Sequence, residues 1–130
     1  MIIRTFIFSL LFAFSCESII PSTLNIISDT ELLEIQETDY VLVDVRTVDE
    51  FESGHIKNAL NLDFYSESFK SDILTLDKGS SIILYCRTQN RSTKAANFLI
   101  ENDYKVIMVI EGGITSWVKN GNDLVFNCSE

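Results

Sequence analysis

Residues 81–92 read Ser81-Ile82-Ile83-Leu84-Tyr85-Cys86-Arg87-Thr88-Gln89-Asn90-Arg91-Ser92, an apolar run that stops at a cysteine and continues as a polar loop. Ser81–Tyr85 has the length and composition of a strand buried on both faces. Ser92–Asn102 then carries Ala95, Ala96, Phe98 and Leu99 at helical spacing, with Lys94, Asn97 and Glu101 on the opposite side. Strand, loop and helix in that order make half of a parallel crossover unit, because parallel neighbours cannot be joined by a tight turn.

The same alternation extends both ways. Upstream, Leu24–Ile27, Tyr40–Val45 and Ala59–Leu62 are strand candidates, and downstream Lys105–Ile110 is another. Between them, Asp29-Thr30-Glu31 opens a helix bearing Leu32, Leu33 and Ile35. Thr47–Glu52 gives one or two helical turns closed by Gly54, and Ser66–Leu74 puts Phe69, Ile73 and Leu74 on one face. Gly112-Gly113 suit a tight strand-to-helix turn, leading into a helix through Trp117 and Val118 that stops at Gly121. Leu124–Phe126 is a short apolar tail expected on the body of the domain. The pattern predicts an α/β fold: a small parallel sheet of about five strands with helices on both faces.

The 130 residues suit a single domain, and 46% apolar content suffices for a core. The formal charge is -9; residues 1–15 hold one Arg and no acid, so the remainder carries -10. So acidic a body excludes nucleic acid as the main partner, since phosphate binding needs clustered Lys and Arg. The first residues differ in kind: a positive head at Arg4, an apolar run from Thr5 to Phe14, then Ser15-Cys16. That is the layout of a signal peptide over 1–15, too short for a comfortable transmembrane helix. Cys16 stands where a bacterial lipoprotein is lipidated. The expected location is therefore outside the cytoplasm of a bacterium, periplasmic or anchored to a membrane through Cys16. Residues 16–28 read as a tether and 29–130 as the domain. Cys16, Cys86 and Cys128, with the single His55, are too few and too scattered for a disulfide scaffold or a metal centre. A bond between Cys86 and Cys128 stays open.

Cys86 is the residue with chemistry to offer. It lies at the carboxyl end of a strand, where parallel sheets bind ligands. The loop Arg87-Thr88-Gln89-Asn90-Arg91 is long enough to curl its N–H groups around one centre as an anion nest. The helix beginning near Ser92 adds its positive end, and Arg87 and Arg91 add full charges. All of these favour thiolate, the nucleophilic form, over thiol. The plain alternative is a buried Cys packed as a small hydrophobe, with Arg91 clamping the loop and Arg87 facing solvent. Asp44, at the end of another strand, reads as a partner of Arg46 or of the neighbouring loop. His55 in Gly-His-Ile reads as a packing and hydrogen-bonding element, and Trp117 as packing.

These segments, in this order, resemble the rhodanese-like domains. The resemblance covers roughly residues 29–127. Asp44-Val45-Arg46, Glu50-Phe51, Gly54-His55-Ile56 and Asn58-Ala59 are similar to the family's first signature. Tyr85-Cys86-Arg87 through Asn90-Arg91-Ser92 resembles its active loop, and Glu111-Gly112-Gly113 with Trp117 its closing signature. The resemblance implies a sulfurtransferase, with Cys86 as nucleophile. It attacks a small anionic sulfane-sulfur donor such as thiosulfate, holds the sulfur as a persulfide, and yields it to a thiol, a cyanide-like acceptor or a protein acceptor. Arg87, Thr88, Gln89, Asn90 and Arg91 would cradle the sulfur and the donor, with Asp44, Arg46 and Ser92 in support. No metal or organic cofactor is implied. One departure stands out: the family often has Gly where Gln89 stands. If that position needs positive φ, Gln costs about 1 kcal/mol there, and its side chain narrows the pocket.

Three other readings compete. Phosphatases of related architecture place five residues between Cys and Arg, whereas four separate Cys86 from Arg91, a ring better sized for one sulfur atom. A sulfur carrier or binding module with little turnover fits the short chain. A thiol redox protein using Cys86 and Cys128 lacks any Cys-x-x-Cys.

Overall fold

A computed structural model describes residues 22–126. The signal-peptide and lipidation readings at 1–16 and the pairing of Cys128 lie outside the described residues. Five strands, β1 (Thr23–Ile27), β2 (Tyr40–Asp44), β3 (Leu60–Asn61), β4 (Ser81–Tyr85) and β5 (Val106–Ile110), form one all-parallel sheet in the order β1-β5-β4-β2-β3. The strand that ends at Cys86 is therefore central, with Ile82, Ile83, Leu84 and Tyr85 fully buried. That explains its unbroken apolar run: side chains on both faces meet helices.

Alternate residues of the four longer strands feed two cores. On one face α3 (Phe69–Ile73) and α4 (Asn90–Glu101) cover Val43, Ile82, Leu84, Ile107 and Val109. On the other, α1 (Asp29–Glu34) and α5 (Gly113–Lys119) cover Leu42, Ile83, Tyr85 and Ile110. The helix α2 (Val48–Glu52) sits just past β2, beside the carboxyl ends of the strands. No helix of the described residues is long and apolar enough to cross a membrane.

Several boundaries differ from the sequence reading, each for a physical reason. Thr23–Ile27 pairs residue for residue with β5, so the sheet begins inside the stretch read as a tether. α1 is capped one residue earlier than Asp29: Ser28 accepts from the Glu31 amide, and Glu31 accepts from the Ser28 amide at 2.7 Å. α4 starts at Asn90 rather than Ser92, so the loop's last two residues already form the first helical turn. A 3-10 turn at Glu37–Asp39 had no apolar period to announce it. The Leu124–Phe126 tail does fold back: His55 and Val125 exchange two backbone hydrogen bonds of 2.9 and 2.8 Å.

Candidate active site

Cys86 is 1% exposed, and its side chain continues the Ile82–Leu84 face of β4 into the core under α4. Burial alone fits the inert reading, but its sulfur has polar company. The Ser92 amide donates to Sγ at 3.5 Å, and the Ser92 hydroxyl lies 3.4 Å from it. Ser92 is itself fully buried in the first turns of α4, so the helix's positive end faces the sulfur.

The loop amides are left unpaired among the described residues: those of Arg87, Thr88, Gln89, Asn90 and Arg91 donate to no acceptor there. The two carbonyls that open the loop, by contrast, are tied down on the α5 side. Cys86 O accepts from the Ile114 amide at 2.9 Å, and Arg87 O accepts from the Thr115 amide and hydroxyl at 3.1 and 2.7 Å. With those two carbonyls committed to the start of α5, the Arg87 and Thr88 amides that share their peptide planes point away from α5, as the amides of an anion nest do.

That docking explains Gly113. Its φ is +58°, and a Cβ there would strike the Cys86 carbonyl oxygen and come within 2.6 Å of that of Thr88. Only Gly lets α5 approach the loop so closely. Gln89 belongs to the same contact. Its φ of -172° is extended backbone open to any residue, so the strain expected of a non-glycine residue there does not arise. Its Oε1 accepts from the Gly112 amide at 3.2 Å, fastening the loop to the turn before α5.

The two loop arginines have different surroundings. Arg91 grips Glu50 through two hydrogen bonds of 2.8 and 2.9 Å, and its guanidinium lies 5.5 Å from the Tyr65 ring centre. Those bonds hold the Glu50 carboxyl down at about 2 against the opposing effect of burial, with Thr47 assisting. Arg91 is pushed upward by Glu50 foremost, and the nearby Cys86 adds to the rise. Arg87 is exposed and forms no salt bridge among the described residues, while Thr88 and Asn90 are also exposed.

Asp44 and Arg46 sit behind the loop as a buried pair 2.6 Å apart. Arg46 also donates to the carbonyls of Glu50 and Gly54, at 3.0 and 2.8 Å, so it fixes the path of α2 and hence Glu50. Burial opposes its charge, but Asp44 outweighs that and raises its affinity for the proton. Burial and the Asp44 charge likewise push the Tyr85 hydroxyl upward, leaving it neutral to accept from the Ile56 amide at 3.1 Å. His55 stacks on Phe51 at 3.7 Å and its Nδ1 meets the Phe51 carbonyl at 3.0 Å, a packing element. Trp117 is buried, with Nε1 donating to Asp123 O.

The structure thus brings Ser92 onto the Cys86 sulfur at the start of α4 and pairs Asp44 with Arg46 at the end of the neighbouring strand. Sequence reasoning passed over Glu50 as a loop anchor and Thr115 as a carbonyl clamp. The Thr47-x-x-Glu50 capping box was a local signal for the first, but its partner lies 41 residues away. Among the described residues no cluster of three His, Cys, Asp or Glu side chains is arranged to hold a metal ion.

Comparison with known proteins follows the same lines. The chain is 33% identical over 109 residues to a probable molybdopterin-synthase adenylyltransferase of Porphyra purpurea, across 77% of this chain and 28% of that protein. It is 34% identical over 91 residues to a tRNA uridine(34) hydroxylase of Hamiltonella defensa, across 65% of this chain and 25% of the relative. The chain therefore spans about a quarter of the length of these curated relatives. Among solved structures, a rhodanese-related protein from Thermoplasma volcanium superimposes with a TM-score of 0.71 at 28% identity, covering 79% of this chain and 99% of that one. The family model for the rhodanese-like domain matches residues 28–120, a span that contains the buried Asp44–Arg46 pair, the Cys86 loop and the Gly112-Gly113 turn. This chain belongs to the rhodanese-like domain family.

Proposed function

We propose that the protein is a sulfurtransferase that moves sulfane sulfur through a persulfide on Cys86. The Cys86 thiolate attacks the outer sulfur of a thiosulfate-like donor, the donor's S–S bond breaks, and sulfite leaves with the electron pair. A thiol or cyanide-like acceptor then attacks the outer sulfur of the persulfide and releases the thiolate. Splitting the transfer this way replaces one hard step with two easier ones. The observation that carries the reading is the sulfur's setting: the Ser92 amide on Sγ and five loop amides with no acceptor of their own among the described residues. The same donors serve thiolate, transition state and persulfide, all negatively charged at this spot. The named reactions of the longer relatives belong to those whole proteins; only the sulfur chemistry of the shared fold supports this reading.

Incubating the protein with thiosulfate is expected to add one sulfur atom to Cys86, read by mass spectrometry of the peptide. Added cyanide then removes it as thiocyanate. Absence of the adduct, with Cys86 reduced and the protein folded, overturns the reading. Loading without release to cyanide or small thiols turns it toward a carrier that hands sulfur to a protein acceptor.

A further inference from the structure

Three phenylalanines frame a cleft of about 320 Å³ between the segment after β3, α3 and α4. Its volume lies at the lower end of the range for small organic ligands, roughly 300–1,000 Å³. None of the residues from Cys86 to Ser92 lines it. Phe69 is buried and meets the Phe64 ring at 5.0 Å and 57°, so the core fixes two of the rings. The third, Phe98, is half-buried on α4.

The rim of this cleft is positive, in a chain whose formal charge is -9. Lys70 on α3 and Lys94 on α4 both line it, and neither forms an ion pair among the described residues. Lys70 Nζ lies 5.5 Å from the Phe98 ring centre, so the ring draws one ammonium to the aromatic wall. Lys94 precedes Phe98 by one helical turn, which puts both on the same side of α4. Against the two cations stands one carboxylate, that of the exposed Glu67. An inorganic anion would leave the rings unused, and a neutral hydrocarbon would leave the ammoniums unused. At this volume the cleft seats a ring system rather than a length of polypeptide.

We propose that this cleft is a binding site for a small aromatic carboxylate. The ligand's ring packs among Phe64, Phe69 and Phe98, in the offset or edge-to-face contacts that aromatic pairs prefer. Its carboxylate is held by the Lys70 and Lys94 ammoniums, which outnumber the opposing Glu67. Binding here involves no sulfur chemistry and stands or falls separately from the role of Cys86.

The test titrates the full chain with 2-naphthoate and with its uncharged amide, 2-naphthamide, following backbone amide shifts by NMR. Naphthoate is expected to bind about tenfold more tightly than naphthamide, the scale of one charge-assisted hydrogen bond. The shifts should fall on α3 and on the turn of α4 from Lys94 to Phe98. Combining Lys70→Gln with Lys94→Gln, both at exposed positions, should erase the preference for the acid. Phe98→Ala should weaken both compounds by on the order of tenfold, through the lost apolar contact. Equal affinity of acid and amide in the wild type, an acid preference that survives the double lysine variant, or undiminished binding in Phe98→Ala overturns the site. So do shifts confined to the 86–92 loop, which would place the anion in the loop instead, and so does the absence of any shift at millimolar naphthoate.

Discussion

Replacing Glu50 with Gln changes one charge and little else around it. Gln still accepts from the Thr47 amide, so the capping box of α2 survives. The backbone carbonyl of residue 50 still receives Arg46. What disappears is the two-pronged grip on Arg91, whose amide belongs to the free row and whose neighbour Ser92 donates to Cys86 Sγ. The pair is partly solvent-exposed, so its contribution to stability is about 1 kcal/mol. The kinetic effect is the larger one: a loop no longer anchored at Arg91 should load sulfur about tenfold more slowly, equivalent to about 1.4 kcal/mol of barrier.

The pH dependence follows from the sign of the Glu50 shift. Arg91 foremost holds this carboxyl at about 2, below its ordinary value of 4.5. A carboxyl depressed on folding contributes stability that is fully present above the unfolded value and is lost as pH falls through the folded one. The stability gap between wild type and Glu50→Gln should therefore be constant above 4.5 and shrink between 4.5 and about 2. Urea unfolding across that window measures the gap, and thiosulfate loading of Cys86 near neutral pH measures the rate. If Glu50→Gln loads sulfur at the wild-type rate and its urea midpoint does not move, Arg91 is not held in place by this carboxylate and the reasoning fails.

Gly113→Ala should be among the most damaging single-methyl changes in the protein. The added carbon meets the carbonyl oxygens of Cys86 and Thr88 at a residue with φ of +58°, and a loss of about 2–4 kcal/mol in thermal or urea unfolding is expected, with sulfur loading abolished. An unchanged melting temperature would refute the close docking of α5 on the loop. Arg46→Ala strips the partner from a fully buried Asp44 and should cost about 3–5 kcal/mol, measured by urea unfolding. A cost below about 1 kcal/mol would mean that the bracket behind the loop is dispensable. Cys86, 1% exposed at the bottom of its loop, should react with iodoacetamide but at least on the order of tenfold more slowly with a bulky aryl maleimide, by peptide mapping. Equal rates would place the sulfur at the surface.

The sheet was legible because its signals are local. Ile82 to Tyr85 meet a core on each face, so no polar residue interrupts them, and the same holds through most of β2 and β5. Ala95, Ala96 and Leu99 show a helical period because α4 buries one stripe against that sheet. Legibility failed where a boundary is set by a partner distant in sequence. Leu24–Ile27 was readable as a strand candidate, but its start at Thr23 and its membership of the sheet are set by the ladder that β5 supplies. At the site, the position of Cys86 at a strand end was readable from the run before it. The committed carbonyls were not, because Ile114 and Thr115 approach from α5, which begins only after α4 and β5. The same distance misled the reading of Gln89: a glycine preference suggested positive φ, yet the chain is extended there and the side chain reaches Gly112. Glu50 shows both sides of the matter. Its capping bond to Thr47 lies within four residues and can be read in one dimension, whereas its grip on Arg91 exists only because β2 and β4 are adjacent in the sheet. The proposed nucleophile is thus marked by short-range pattern, and its electrostatic setting by strand order. Two chains with the same Cys86 loop and different residues at 50, 113 and 115 would therefore share the proposed nucleophile and differ in what it can do.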